Sequence, residues 1–177
     1  MNYKLIMTEG SDELAFVNLL LDRNLLKFKR KDLLMEKVFH KRQIDGELRA
    51  FIQDIPIKDD VDIYRIGDKL SDKLKIPHTI LIGKIRDQFK ICIKPEFEIL
   101  FILKEELYKD YLKVKSTEKP STFYKKVKSA YKKQYSYVED YFSNMTNDEI
   151  KKLLSKYDKI RKNTHKDDEL TINSIIR

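Results

Sequence analysis

Residues 3–21 read YKLIMTEGSDELAFVNLLL and contain the first recognisable structural unit of the chain. The apolar run at its start is short and is followed by Gly10, which favours a strand over a helix. Ser11 can then cap a helix, and Asp12 and Glu13 suit its first turn. Apolar side chains recur with helical spacing at Leu14, Val17, Leu20 and Leu21. The segment therefore predicts a strand, a turn and a helix, which form the first half of a β-α-β unit.

The rest of the N-terminal half continues this alternation. Strands are predicted within residues 33–44, at 61–66 and at 89–93, and short helices at 47–54 and from 71 to about 77. Residues 78–82 are apolar and fit either a strand or the start of a helix. Alternating strands and helices are typical of α/β proteins, so we predict an open, mainly parallel sheet flanked by helices.

The composition changes after about residue 104. Eight of the ten tyrosines lie from Tyr108 onward, and residues 113–133 hold eight lysines and one acid. Helices are predicted from Pro95 to about residue 107, and then at 121–131, 136–143, 146–162 and 167–177. We therefore divide the chain into an α/β core at residues 1–103 and a basic, tyrosine-rich helical extension at 104–177, which packs on that core.

The composition also limits the class of protein and the kind of site. The 177 residues carry 37 Lys and Arg against 29 Asp and Glu, a formal net charge of +8, and include one cysteine. A single cysteine excludes a disulfide framework and a zinc site built mainly from thiolates. We expect no signal peptide and no membrane span, and hence a cytoplasmic setting. The excess of basic residues predicts an anionic partner, with nucleic acid as the first candidate.

Acidic side chains follow three of the predicted strands, at residues 9–12, 67–72 and 95–98. Because the carboxyl ends of parallel strands lie on the same side of a sheet, we expect these acids to converge. Carboxylate oxygens suit Mg²⁺ or Mn²⁺, and Mg²⁺ commonly keeps waters and a substrate phosphate as further ligands. The alternative is that the same acids only cap helices, occupy turns or complement helix dipoles.

Two of these acidic turns resemble motifs of a known family. Residues 5–12, LIMTEGSD, followed by an apolar helix, resemble the first motif of Toprim domains. Such domains occur in topoisomerases, bacterial primases, overcoming-lysogenization-defect nucleases and small RloB-like defence proteins. Residues 94–100, KPEFEIL, are similar to the Pro-x-Phe-Glu-hydrophobic segment of the RloB-like group. The resemblance covers residues 3–103 and implies a Toprim-like sheet.

The resemblance also implies roles for individual acids. Glu9 matches the Toprim glutamate, which is a metal ligand or a general acid/base. Asp68 matches the first aspartate of the family's Asp-x-Asp pair, and Glu98 matches the glutamate of the Pro-x-Phe-Glu segment. The sequence departs from the family at Leu70, where the second aspartate of the pair is expected. This departure leaves a single metal ion, an altered site or an inactive domain as alternatives.

Two further aspartates compete for the missing ligand position. Asp72 lies two residues beyond it, and Asp62 lies inside the preceding strand. The predicted catalytic residues are Glu9, Asp68, Asp72 and Glu98, and the predicted ligands of Mg²⁺ or Mn²⁺ are Glu9, Asp68 and Asp72.

The lysines predict a surface for nucleic acid, because lysines can follow a phosphate backbone. The predicted contacts are Lys69, Lys94, Lys119, Lys125, Lys126, Lys132 and Lys133. The segment Lys119-Pro120-Ser121 also predicts a helix N-terminus that could face a phosphate.

Three other groups have simpler interpretations. Phe123, Val127, Ala130 and Tyr131 alternate with lysines, and we interpret them as a buried helix face rather than as stacking partners of bases. His165 is the histidine best suited to proton transfer in a metal-independent ribonuclease, although a structural role is the simpler interpretation. Cys92 lies in a predicted strand and is expected to be a core residue.

The predicted function is Mg²⁺- or Mn²⁺-dependent hydrolysis of phosphodiester bonds in RNA or DNA. The resemblance implies a role in defence against phage. One alternative is a Toprim-like module that binds nucleic acid without cleaving it, and another is a subunit that acts with an ATPase. No Gly-x-x-x-x-Gly-Lys-Ser/Thr loop occurs in the sequence, so an ATPase would be a separate partner. A homodimer is compatible with each alternative.

Overall fold

Five parallel strands form one sheet in the order β2-β1-β3-β4-β5. They are β1 (Asn2–Thr8), β2 (Leu33–Phe39), β3 (Asp60–Gly67), β4 (Ile85–Cys92) and β5 (Glu169–Leu170). The computed structural model describes residues 1–76, 83–161 and 165–177. The predicted α/β class with a parallel sheet is confirmed, whereas the prediction for residues 78–82 lies outside the described residues.

Seven α-helices occur in the described ranges. They are α1 (Ser11–Asp22), α2 (Gly46–Asp54), α3 (Ile99–Lys104), α4 (Tyr108–Val114), α5 (Pro120–Val127), α6 (Tyr135–Ser143) and α7 (Asn147–Ile160). Short 3-10 turns span Arg30–Asp32 and Ile172–Ile175. None of the helices in these ranges is both long and apolar enough to cross a lipid bilayer.

The two faces of the sheet are covered by different amounts of structure. Side chains alternate along β1, so that Ile6 joins a large apolar cluster on one face and Leu5 and Met7 join a smaller one on the other. The large cluster combines α1 with the helices of the C-terminal half. Phe16 of α1 packs on Phe142 of α6, with ring centroids 4.7 Å apart. The C-terminal helices therefore share a core with the first helix of the chain.

Helix starts are set by local capping at two places. Asp45 caps α2, because its carboxylate accepts a hydrogen bond from the Leu48 N–H at 3.0 Å. Thr146 and Glu149 form a capping box at the start of α7 and confirm the predicted start of that helix. At α1 the predicted cap is wrong: Gly10 is the N-cap residue, and the Ser11 hydroxyl instead donates a hydrogen bond to Asp12.

Three predicted helices differ from the structure. The helix expected from Pro95 begins only at Ile99 and lasts six residues, and Glu98 is its N-cap residue. Residues 71–76 form no helix, because Arg65 binds both the carbonyl and the carboxylate of Asp72 and holds this segment in an irregular path. Residues 167–177 form no α-helix. They contain β5, which pairs with the edge of β4, and a 3-10 turn.

The aromatic face of the basic segment is mostly buried. Phe123 and Tyr131 are buried as predicted, whereas Val127 and Ala130 are exposed. The reason is that α5 ends at Val127, so the helical spacing does not continue to residue 131. Cys92 is fully buried, as expected of a core residue.

Candidate functional site

Glu9 and Asp68 follow the carboxyl ends of the neighbouring strands β1 and β3. The Glu9 N–H donates a hydrogen bond to the Ile66 carbonyl at 2.9 Å, which places Glu9 level with Gly67. A methyl group on Gly67 would come within 2.6 Å of Glu9 Oε2. Gly67 therefore leaves room for the Glu9 carboxylate, and Asp68 is the next residue along the chain. We call Glu9 and Asp68 the strand-end carboxylates.

The strand-end carboxylates have oxygens without a hydrogen-bond or ion-pair partner among the described residues, and these oxygens could bind a metal ion. Arg42 binds Glu9 Oε1 at 2.9 Å, but Glu9 Oε2 is buried and has no hydrogen-bond partner among the described residues. Asp68 is partly exposed and makes no hydrogen bond or ion pair with any described residue. His40 lies nearby, with Nε2 3.3 Å from the Glu9 carbonyl oxygen.

Three further acids are buried behind this edge, and we call Asp12, Glu13 and Glu98 the buried carboxylates. The Tyr131 hydroxyl donates a hydrogen bond to Glu98 Oε1 at 2.7 Å and lies 3.4 Å from Asp12 Oδ2. The Lys133 ammonium lies 3.3 Å from the same Glu98 oxygen. Glu98 Oε2 is buried with no partner among the described residues.

The pKa values of this cluster show how strongly its members interact. The pKa of Glu13 is raised to about 7, mainly by burial and to a smaller extent by the charges of Asp12 and Asp68. Burial also raises the pKa of Asp12, with a second contribution from Glu98. The Glu13 charge thus interacts both with Asp68 of the strand-end carboxylates and with the buried Asp12.

Lys133 and Tyr131 balance this concentration of negative charge. Burial disfavours the ammonium form of Lys133, but Glu98 and Asp12 outweigh that effect and raise its pKa. Burial and the hydrogen bond to Glu98 raise the pKa of Tyr131 far above neutrality, so its hydroxyl stays a donor. These two side chains come from the segment between α5 and α6 and lie over acids of the α/β core.

The remaining candidate acids do not join this group. Arg65 binds both oxygens of Asp72 at 3.0 Å, and this hydrogen bond lowers the pKa of Asp72 despite the opposing effect of partial burial. Asp62 is buried in β3 in ion pairs with Lys4 at 2.7 Å and Arg86 at 2.6 Å. Leu70, at the position of the missing aspartate, is buried as well.

Four of the seven predicted lysines line one cavity of 620 Å³, namely Lys125, Lys126, Lys132 and Lys133. Glu98 and Tyr131 line the same cavity. Glu98 and the lysine-rich segment therefore meet in space, although the first belongs to the predicted α/β core and the second to the predicted extension.

The other three predicted lysines lie elsewhere. Lys94 is mostly buried and forms an ion pair with Glu169, whereas Lys69 is exposed. Lys119 precedes α5, but Glu96 Oε2 already accepts the Ser121 N–H at 3.0 Å. An acid of the chain itself thus occupies the position at which the sequence predicted a phosphate.

Sequence reasoning missed the pairing of Asp12 with Glu98 and the part played by Glu13 and Tyr131. Asp12 and Glu13 lie in the first turn of a helix, where acids are common, so their positions alone indicate no further role, and no local pattern links Tyr131 to Glu98. His165, which was a candidate for proton transfer, lies with its Nε2 3.0 Å from the Cys92 carbonyl oxygen, beside Tyr157. That position indicates a structural role.

Within residues 1–76, 83–161 and 165–177, no group of three or more His, Cys, Asp or Glu side chains is arranged to hold a metal ion. Comparisons of the chain with protein-family models, with curated proteins and with solved structures find no match.

Proposed function

We propose that the protein is a Mg²⁺- or Mn²⁺-dependent hydrolase that cleaves phosphodiester bonds in nucleic acid. The main support is that Glu9 and Asp68 follow the ends of neighbouring parallel strands and that a buried carboxylate oxygen of Glu9 has no partner among the described residues. Lys133 of the lysine-lined cavity interacts electrostatically with the buried carboxylates, and one of these, Glu13, interacts with Asp68. The Toprim-like motifs support the same proposal and suggest phage defence as its biological setting.

The strand-end carboxylates fit Mg²⁺ in the way in which proteins usually hold it. Mg²⁺ commonly binds one or two carboxylates and keeps waters and substrate phosphates as its other ligands. Glu9 and Asp68 would supply the two carboxylates, which is consistent with the absence of a larger ligand group among the described residues. When bound, such an ion would neutralise phosphate charge and make a water molecule more acidic.

Side chains of the protein would transfer the proton, offset the charge of the phosphate and position the substrate. Glu9 would accept a proton from the attacking water through the carboxylate oxygen that has no partner. Arg42, which is 67% exposed, could move from Glu9 to the substrate phosphate and offset its developing charge. The lysines of the cavity would hold the strand in position.

A second candidate is a module that binds nucleic acid without cleaving it. Its specific support is that Leu70 is buried and Asp72 is bound to Arg65, so the third predicted acid is not available next to Glu9 and Asp68. Under this alternative the fold and the lysine-rich surface are retained, and a divalent ion has no effect on the protein.

The test compares Glu9→Gln and Asp68→Asn with the parent protein, using tRNA, single-stranded RNA and DNA as substrates in Mg²⁺, Mn²⁺ or EDTA. We expect each substitution to lower divalent-ion-dependent cleavage by at least about 100-fold, the scale of a lost acid–base or ligand group. Asp54→Asn is the matched control, because Asp54 is an exposed acid at the end of α2.

A second measurement is independent of catalysis. Mg²⁺ should raise the midpoint of thermal unfolding of the parent protein and of Asp54→Asn, but not that of Glu9→Gln. Cleavage that is unchanged in both site variants would disprove the hydrolase proposal. A parent protein that binds RNA or DNA, cleaves neither and does not respond to Mg²⁺ would support the binding module.

A further inference from the structure

The cavity of 620 Å³ has an inner wall that contains a carboxylate and a rim that contains lysines. Glu98 and Tyr131 are buried, with exposures of 0% and 5%, and they form its inner wall. Lys125 and Lys132 are exposed and form its rim. Its volume lies within the range of about 300–1,000 Å³ that is typical of small-molecule sites.

Two of the four lysines around the cavity are already neutralised. Lys126 forms an ion pair with Glu118, and Lys133 forms one with Glu98. The side chains of Lys125 and Lys132 make no ion pair or hydrogen bond with any described residue. The rim therefore carries two positive charges that are available to an anionic ligand.

The inner wall offers the opposite kind of contact. The Tyr131 hydroxyl and Lys133 both bind Glu98 Oε1, and Glu98 Oε2 has no partner although it is fully buried. A buried acceptor without a donor is costly, and such cases call for an explanation. A ligand that carries an N–H or O–H group could supply the missing donor.

A ligand that binds both the lysines of the rim and Glu98 of the inner wall must carry an anionic group at one end and a hydrogen-bond donor at the other. Inorganic phosphate, as the hydrogenphosphate dianion, carries its one hydroxyl on the same phosphorus atom as its charged oxygens, so it has no donor group at a separate end for Glu98. A phosphate backbone lying across the surface would need neither the cavity nor a buried acid. A nucleotide has both parts, because its phosphate is joined to a sugar with hydroxyl groups and, in most cases, to a base with an amino group.

We propose that this cavity binds one nucleotide, with the phosphate held by Lys125 and Lys132 and a ribose hydroxyl or base amino group donating to Glu98. The inference deepens the proposed function, on which it rests for the role of the nucleotide as part of the substrate. The nucleotide could be free or could be the terminal residue of a strand, since both present the same chemistry. Binding at the cavity requires no metal ion.

The experiment measures equilibrium binding in EDTA, so that no cleavage takes place. The probes are adenosine 5′-monophosphate, cytidine 5′-monophosphate, a 5′-phosphorylated tetraadenylate and inorganic phosphate. Lys125→Ala/Lys132→Ala should weaken binding of the mononucleotides by at least about tenfold, because it removes two charge-assisted contacts to phosphate. Lys151→Ala/Lys159→Ala is the control with the same change of charge on α7, away from the cavity, and should change binding less than twofold.

A third variant tests the contact to the inner wall. Glu98→Gln should abolish the preference for mononucleotides over inorganic phosphate, and a thermal melt checks that this variant is folded. Lys125 and Lys132 are exposed, so we expect Lys125→Ala/Lys132→Ala to fold normally. The result from that variant remains informative even if Glu98→Gln does not fold. Binding of the mononucleotides alone would identify the ligand as a free nucleotide. Binding of the tetraadenylate as well would identify it as the terminal nucleotide of a strand. Both results support the proposal.

The proposal is overturned if inorganic phosphate binds as tightly as the mononucleotides to the parent protein, or if both lysine pairs weaken binding equally. Its outcome is separate from that of the hydrolase. Nucleotide binding in EDTA together with absent cleavage would refute only the hydrolase, and cleavage without nucleotide binding would refute only this site.

Discussion

Glu9 and Asp12 are three residues apart in sequence, yet their carboxylates lie in two different environments. The strand-end carboxylates Glu9 and Asp68 lie at the ends of β1 and β3, with little to neutralise them except Arg42. The buried carboxylates, which include Asp12, lie under Tyr131 and Lys133 of the C-terminal half. The same strand–turn–helix unit therefore supplies both an acidic edge that is partly exposed and an interior in which acids are neutralised.

This difference indicates that burial, rather than residue type, determines which acids can act as anionic ligands. A buried carboxyl lowers its energy by taking up a proton or by pairing with a cation, whereas a partly exposed one is also stabilised by water. The four substitutions below separate the two environments, beginning with the largest expected effect.

Glu13→Gln tests the protonation of the buried carboxylates. The Glu13 pKa rises from its ordinary value of 4.5 to about 7 on folding. The folded protein therefore binds the extra proton more tightly than the unfolded chain does. The stabilisation that results is fully present below pH 4.5 and is lost as the pH rises through 7. The parent protein should lose about 3 kcal/mol more stability than Glu13→Gln between pH 4.5 and pH 8. Urea unfolding over this range measures it, and parallel pH profiles for the two proteins would contradict it.

Gly67→Ala tests the space reserved for the strand-end carboxylates. The added methyl group would lie 2.6 Å from Glu9 Oε2 and 2.8 Å from Glu9 Cβ, so the Glu9 side chain must move. We expect a loss of about 2 kcal/mol in the free energy of unfolding, together with loss of the stabilisation by Mg²⁺. Chemical unfolding with and without Mg²⁺ measures both.

The control for this substitution is Gly46→Ala at the start of α2, where an added methyl group meets no heavy atom within 4 Å. It should leave the response to Mg²⁺ unchanged and raise stability by about 0.5 kcal/mol through the lower entropy of the unfolded chain. If Gly67→Ala behaves like this control, the close approach to Glu9 has no functional importance.

Tyr131→Phe tests the hydrogen bond that covers the buried carboxylates. It removes the hydroxyl that donates to Glu98 Oε1 at 2.7 Å and should cost about 1.5 kcal/mol of stability. Tyr108→Phe is a suitable control, because the Tyr108 hydroxyl has no hydrogen-bond partner among the described residues. Equal stability of both variants in thermal unfolding would show that the contact between Tyr131 and Glu98 is energetically unimportant.

Asp72→Asn should have the smallest effect. The Asp72 side chain is half-exposed, so its ion pair with Arg65 should contribute less than about 1 kcal/mol to stability. Because this carboxylate is directed to Arg65, the substitution should leave the Mg²⁺-dependent stabilisation unchanged. A lost response to Mg²⁺ in this variant would return Asp72 to the metal site that the sequence predicts.

Local sequence patterns were sufficient to predict much of the fold. The apolar spacing of α1 and the alternation in β3 are properties of neighbouring residues, and both elements occur where they were predicted. The helix expected from Pro95 begins four residues later, because capping preferences do not show where the chain must turn to bury Phe97. The two residues of β5 are too few to give a periodic pattern, and only pairing with β4 makes them a strand.

The site was predictable only in part, for a related reason. Glu9 and Asp68 follow strands that are recognisable in the sequence, so their position at one end of the sheet could be inferred. The contact between Tyr131 and Glu98 depends on how the C-terminal helices pack on α1, and no spacing in the sequence encodes it. Likewise, only the tertiary structure pairs Arg65 with Asp72 rather than leaving that acid at the site.

The two-residue strand β5 has a consequence for the order in which the protein folds. Lys90 and Ile91 of β4 find their partners in Glu169 and Leu170, and Leu26 bridges to Ile176. These contacts join parts of the chain that are far apart in sequence, and closing such long loops slows folding. During synthesis Lys90 and Ile91 therefore stay without these partners until residues 169–170 have left the ribosome, and an exposed strand edge of this kind can pair with other chains.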